Sequence, residues 1–159
     1  KTYMYDIPYT IYGENTAVKF NYPKGRRILN KPNFVGVLFD ADFVLSEKDN
    51  KRRADQKMWV EVQGLNDKGE VIMKGTLCFD GQSKRAGTLK GLAYFPADEL
   101  DSVKKITFIA KYSYLNYGIK NLQEIGRQTF DFPLVPNGES NAIDSKEYQK
   151  DGYATGTVY

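Results

Sequence analysis

Histidine is absent from this chain of 159 residues, and cysteine occurs once, at Cys78. The first absence removes the commonest general base and the commonest transition-metal ligand. The second excludes an intramolecular disulfide and a thiolate zinc site within one chain. No apolar run approaches the roughly 18 residues of a spanning helix, so no membrane-spanning segment is expected. The formal net charge is only +3, too small a surplus to draw the chain to nucleic acid or to a membrane surface. Gly64, Gly69 and Gly75 are scattered over strand and turn positions and form no phosphate loop. Without histidine there is no Ser/His/Asp set and no Cys/His dyad. Glu61, Glu70, Asp98 and Glu99 offer carboxylates, yet nothing pairs two of them across a cleft as glycoside hydrolysis requires. The expectation is a protein with no catalytic residues, no cofactor and no metal.

What is present is a sheet pattern. The apolar fraction of 41% and the 14% aromatics are too high for a disordered chain. The length suits one domain with a core of its own. From Met58 to Phe79 the chain reads as two strands around a tight turn. Met58, Val60 and Val62 alternate with Trp59, Glu61 and Gln63, and Val71, Met73, Leu77 and Phe79 share a face after the turn. Asn66-Asp67-Lys68-Gly69 supplies the turn, because Gly69 can take positive φ without a Cβ clash. Phe34 to Leu45 is the longest alternating run, with Val35, Val37, Phe39, Ala41, Phe43 and Leu45 on one side. It is expected at the centre of the sheet.

Shorter strands flank these. Residues 3–12 alternate Tyr3, Tyr5, Ile7, Tyr9 and Ile11, with Pro8 marking an edge. Thr16, Val18, Phe20 and Tyr22 form a second short strand, followed by a basic loop, Pro23 to Arg27. Residues 46–56 make a long charged loop, and 80–87 a polar one. Thr88 to Phe95 is a strand with small inward residues, Pro96 to Leu100 one helical turn, and Lys105 to Tyr114 a strand. Residues 115–125 read as a loop, and 127–134 as a last core strand. About seven or eight strands with no long amphipathic helix close most naturally as an all-β, two-sheet antiparallel sandwich; a barrel is the rival. Strand count and spacing resemble an immunoglobulin-like sandwich, although the Cys–Trp–Cys arrangement of antibody domains is missing. Residues 1–135 are expected to form this domain and 136–159 a polar C-terminal tail.

On composition that whole tail, 136–159, should be disordered. Within it, Tyr153 to Tyr159 has a strand pattern: β-branched and aromatic residues alternate, as in a strand added to a sheet edge. Tyr153, Thr155, Thr157 and Tyr159 would face one way and Ala154, Gly156 and Val158 the other.

Candidate binding residues are aromatic. Trp59 falls on the outward phase of its strand, and Tyr112, Tyr114 and Tyr117 cluster near one loop. Exposed aromatics stack on sugars or on partner surfaces. Asp40, Asp42 and Asp80 offer oxygen ligands, but i and i+2 on an extended strand lie too far apart for a compact calcium cage. Basic loops at Arg26-Arg27, Lys51 to Arg53 and Lys84-Arg85 are interleaved with acids, so no nucleic acid is expected. Lys1 opens the chain with neither a methionine nor a signal-like segment, as a removed secretion or lipoprotein signal or an arbitrary domain cut would leave it; the first, with a place outside the cytoplasm, is the expectation. Together these readings give a non-catalytic module for a protein partner or self-association in a surface or envelope assembly, with a glycan as the alternative partner.

Overall fold

Alternation of apolar and polar residues resolves into nine strands among the residues that the computed structural model describes, 17–27, 33–45, 57–79, 86–113, 122–132 and 152–159. They are β1 (Ala17–Phe20), β2 (Lys24–Arg27), β3 (Phe34–Val44), β4 (Lys57–Leu65), β5 (Val71–Phe79), β6 (Ala86–Pro96), β7 (Lys105–Ser113), β8 (Leu122–Asp131) and β9 (Ala154–Thr157). The first sheet runs β1–β3–β6–β9, with β2 also paired to β3; the second runs β5–β4–β7–β8. Every pairing is antiparallel except that of β6 with β9. The two sheets pack face to face over one apolar core. The expected strand 3–12, the loops 46–56 and 80–85, and the linker 136–151 lie outside the described residues.

The core is built from a size complement between neighbouring strands. Val37, Phe39 and Phe43 on β3 stand opposite Ala93, Gly91 and Gly87 on β6. A Cβ on Gly91 would lie 2.2 Å from the Phe39 ring, so that ring occupies the hollow that the missing side chain leaves. From there Phe39 reaches across to the second sheet, with its centroid 4.4 Å from that of Phe108. Phe20 stacks on Phe108 at 5.6 Å, and Phe130 meets it edge-on at 6.0 Å. Val60, Val62, Met73, Leu77 and Ile106 fill the rest of the inner face, all buried. Each such side chain contributes about 1.5–3 kcal/mol through burial.

Local features explain where sequence phase and structure part. Residues 24–27, read above as a loop, form β2, because β3 offers a backbone edge that any residue type can pair with. Between β1 and β2, Asn21, Tyr22 and Pro23 face only Phe39 and Asp40, so one extra residue makes a bulge. Pro23, with no N–H to give, fits such a break. The shift turns Tyr22 out of the core to 51% exposure. A second irregularity between Gly64 and Leu65 leaves Val71 exposed, although its spacing from Met73 placed it inward. A third, between Ala110 and Lys111, accommodates β8, which begins at Leu122 within the predicted loop. Phe130 is half-buried, with its ring edge-on to Tyr22 at 5.6 Å.

The turns are satisfied as their residue types require. Gly69 has φ of 79°, and the Asn66 carboxamide oxygen accepts from the amides of Lys68 (3.0 Å) and Glu70 (2.9 Å). A 3-10 turn, Ala97–Ser102, carries the chain from the first sheet to the second after Pro96. Lys104 then donates its amide to Leu65 (2.7 Å), starting β7 beside β4.

Phe39→Ala should cost about 3–5 kcal/mol, as a large-to-small change at a fully enclosed site. Gly91→Ala should cost about 1–3 kcal/mol by overpacking. In the double variant the added methyl has the space of the lost ring, so the combined loss should be smaller than the sum. Denaturant titration of the four proteins measures this, and strict additivity would show that the ring does not fill the Gly91 hollow.

Candidate functional site

Two surfaces collect residues with recognition chemistry: the outer face of the second sheet, and the seam where the C-terminal strand lies between the sheets.

On the outer face of the second sheet, strand register sets the rows. Cys78, Trp59, Lys111 and Glu124 lie side by side across β5, β4, β7 and β8. Thr76, Glu61, Ile109 and Arg127 form the next row, and Lys74, Gln63, Thr107 and Thr129 the third. Glu61 binds the Lys111 ammonium at 3.3 Å and accepts from the Gln63 amide. Arg127 grips Glu124 with both Nε (2.8 Å) and Nη2. That bidentate hydrogen bond holds the Glu124 carboxyl below the usual carboxylate range and raises the guanidinium above its own. Since the folded value is depressed, the pair favours the fold above the ordinary carboxylate range and ceases to do so as pH falls through the lowered one. Both groups are well exposed, so solvent screening keeps the contribution small. The buried Thr107 shares a 2.9 Å hydroxyl bond with Thr129, and Ile109 is buried at the centre of the face.

Of the two described members of the predicted aromatic group, Trp59 stands on this face. It is half-buried, and its indole Nε1 is enclosed without a hydrogen-bond acceptor among the described residues. Tyr112 follows Lys111 by one residue, so strand alternation turns it to the opposite face, where it is 2% exposed against the core. It therefore shares no surface with Trp59 and is not a stacking platform. Tyr114 and Tyr117 lie outside the described residues.

On the first sheet, Asp42 accepts from the Thr88 hydroxyl at 3.1 Å, while one carboxylate oxygen of Asp40 is enclosed without a donor among the described residues. Asp80 lies outside the described residues. Among the described residues no group of three or more acids or cysteines is placed to hold a metal ion.

The seam was less visible in the sequence. β9 pairs parallel to β6, Ala154 to Gly91 through Thr157 to Tyr94, and the Val158 amide donates to the Tyr94 carbonyl at 2.7 Å. One residue later the chain changes partner: Tyr159 exchanges backbone bonds with Lys74 of β5 at 2.8 and 3.2 Å. The tail therefore bridges both sheets. Ala154 packs on the core and Val158 is fully buried in it. Gly156 lies against Leu77, and Gly75 lies under the Thr157 carbonyl. A cleft of about 370 Å³ opens at the start of β9, between Cys78, Thr88, Lys90 and Tyr153. Within it the Lys90 ammonium sits 5.4 Å from the centre of the Tyr153 ring. Gly75, inside a strand, was the available signal: a glycine there marks a close backbone approach.

No protein-family model, curated protein or solved structure matches the chain.

Trp59→Phe should leave stability unchanged or raise it by up to about 1 kcal/mol, because it deletes an enclosed donor whose desolvation goes uncompensated. Thermal melting checks this. A clear loss, with Trp59→Ala no worse, would mean that the indole N–H has a partner.

Proposed function

We propose that the protein is a non-catalytic binding module whose working surface is the seam between β5 and β6, and that its partner is a protein supplying an extended strand. The observation carrying this reading is the seat of β9. A four-residue ladder, a buried Val158 and a backbone crossing to Lys74 make a groove that recognises a strand by both hydrogen bonds and side chains. Such augmentation draws affinity from main-chain pairing and specificity from alternate side-chain pockets. A place in a cell-surface or envelope assembly, outside the cytoplasm, fits a module of this kind.

The finer architecture belongs with this reading. β1, β3 and β6 stand in the order of strands A, B and E of an immunoglobulin-like sandwich, and β8, β7, β4 and β5 in that of G, F, C and C′. The position beside E, where constant-type domains carry strand D, is the one β9 fills. β5 lies instead in the opposite sheet, so that edge of β6 is left for the tail.

Carbohydrate binding is the second reading, favoured by Trp59 beside Glu61, Gln63 and Lys111 on the outer face of the second sheet. Trp59 is the chain's one tryptophan, so its fluorescence reports this face alone.

Selection of displayed random octapeptides on full-length Val158→Asp protein, whose own strand cannot seat, should enrich alternating sequences with a small residue two places before a branched one. They should bind the variant and not the wild type. Failure to enrich any strand, together with saturable quenching of Trp59 by members of a glycan panel, would transfer the assignment to the carbohydrate reading.

A further inference from the structure

The groove between β5 and β6 is shaped for one kind of segment, and that segment ends this chain. A Cβ on Gly75 would stand 2.5 Å from the Thr157 carbonyl and 3.0 Å from a Val158 methyl, so the two backbones meet with no room for a side chain. A Cβ on Gly156 would reach within 3.0 Å of Leu77 and 3.2 Å of the Thr76 carbonyl, so the incoming strand has room for no more than a small residue at that point. Two residues on, a branched apolar side chain is completely enclosed. The requirement is therefore a small residue, then any residue, then a branched apolar one, and Gly156-Thr157-Val158 meets it.

Neither strand that holds β9 adjoins it in the chain. β8 lies at the far edge of the second sheet, three strands from β5. Nineteen residues, 133–151, separate the last described residue of that region from Gly152. Covalent geometry lets them span at most about 65 Å, against a radius of gyration of about 15 Å for a domain of this size.

Building on the reading of the seam as a protein-interaction surface, we propose that it accepts residues 152–159 of a second copy of this chain, so that copies join by their C-terminal strands. The chain's own seat is the resting state. Tethering gives it an effective concentration in the millimolar range, and dilute wild-type protein is monomeric. Exchange takes over where copies are crowded or where the resting seat is blocked. Donor strand and acceptor groove are different surfaces, so each copy gives one strand and takes one, either reciprocally in a closed pair or head to tail in an open chain.

Two full-length variants separate donor from acceptor. Gly75→Val has no room in its groove but keeps an intact tail; Val158→Asp keeps the groove but cannot insert its tail. Each alone should be monomeric by light scattering, and their mixture should give a one-to-one complex of twice the mass. The complex should vanish when the Gly75→Val copy also carries Val158→Asp. If Gly75→Val does not fold, a carrier protein bearing residues 133–159 takes its place as donor. A synthetic peptide of residues 152–159 should bind Val158→Asp protein and not wild type. A mixture that stays monomeric overturns the proposal, even if the peptide binds, since the tether then fails to deliver the strand. If the random-peptide selection still yields binders, the interaction-module reading survives that failure with a different partner.

Discussion

The ring of Phe39 sits in the hollow over Gly91 and touches the opposite sheet through Phe108 at 4.4 Å. That one placement sets how closely the two sheets approach and which side chains the inner faces can hold. A glycine in mid-strand costs conformational entropy and packs nothing itself. Here the loss is offset by letting a neighbour's aromatic ring lie over the strand and reach the far sheet. The same logic repeats at Phe43 over Gly87, where an added Cβ would lie 3.3 Å from the ring. β3 therefore carries the bulk and β6 the space. Phe20 and Phe130 complete the aromatic cluster only because Phe108 is already fixed between them.

With the sheets so spaced, their edges meet in two seams, and the chain closes them differently. On one side β1 lies along β8: Gly126 passes close under the Val18 carbonyl, and the Phe20 amide donates to the Gln128 side chain. Both strands are held there by long antiparallel neighbours, β3 and β7. On the other side the closure is β9, with four ladder residues, one enclosed valine and a terminal exchange with Lys74. Unpaired sheet edges invite association, and at this seam the element a partner would displace is the four-residue β9.

The strands were legible in the sequence wherever one face is buried, because a one-residue error would have turned Val37, Phe39, Val60 and Val62 to solvent. All four are buried as their phase requires. Phase failed at bulges: Tyr22 and Val71 are exposed because an extra residue on one strand reverses the faces beyond it. Lys24 to Arg27 was illegible because backbone pairing at an edge leaves no mark on side-chain pattern. The two-sided reading of the tail was legible, with Ala154, Gly156 and Val158 facing the core. Its partner strand and parallel direction were not, since those depend on which edge the rest of the fold leaves open. Tyr112 follows Lys111, the cross-strand neighbour of Trp59, by one position, so strand alternation sets it on the opposite face.

The tail is specified on both of its faces, and a passively trapped end would not be. While Val158 enters the main core, Tyr153 packs on the outer face of the first sheet against a separate buried cluster of Leu38, Leu92 and Tyr94. Leu92 is completely enclosed although its strand neighbours Gly91 and Ala93 face the main core, so β6 is covered on both sides. An edge strand with two buried faces must be matched by a segment that offers the right residue at alternate positions on each. Main-chain pairing alone accepts nearly any extended peptide. The glycine contacts at positions 75 and 156, the enclosed valine and the outer tyrosine narrow that choice to a sequence resembling the one this chain carries at its own end.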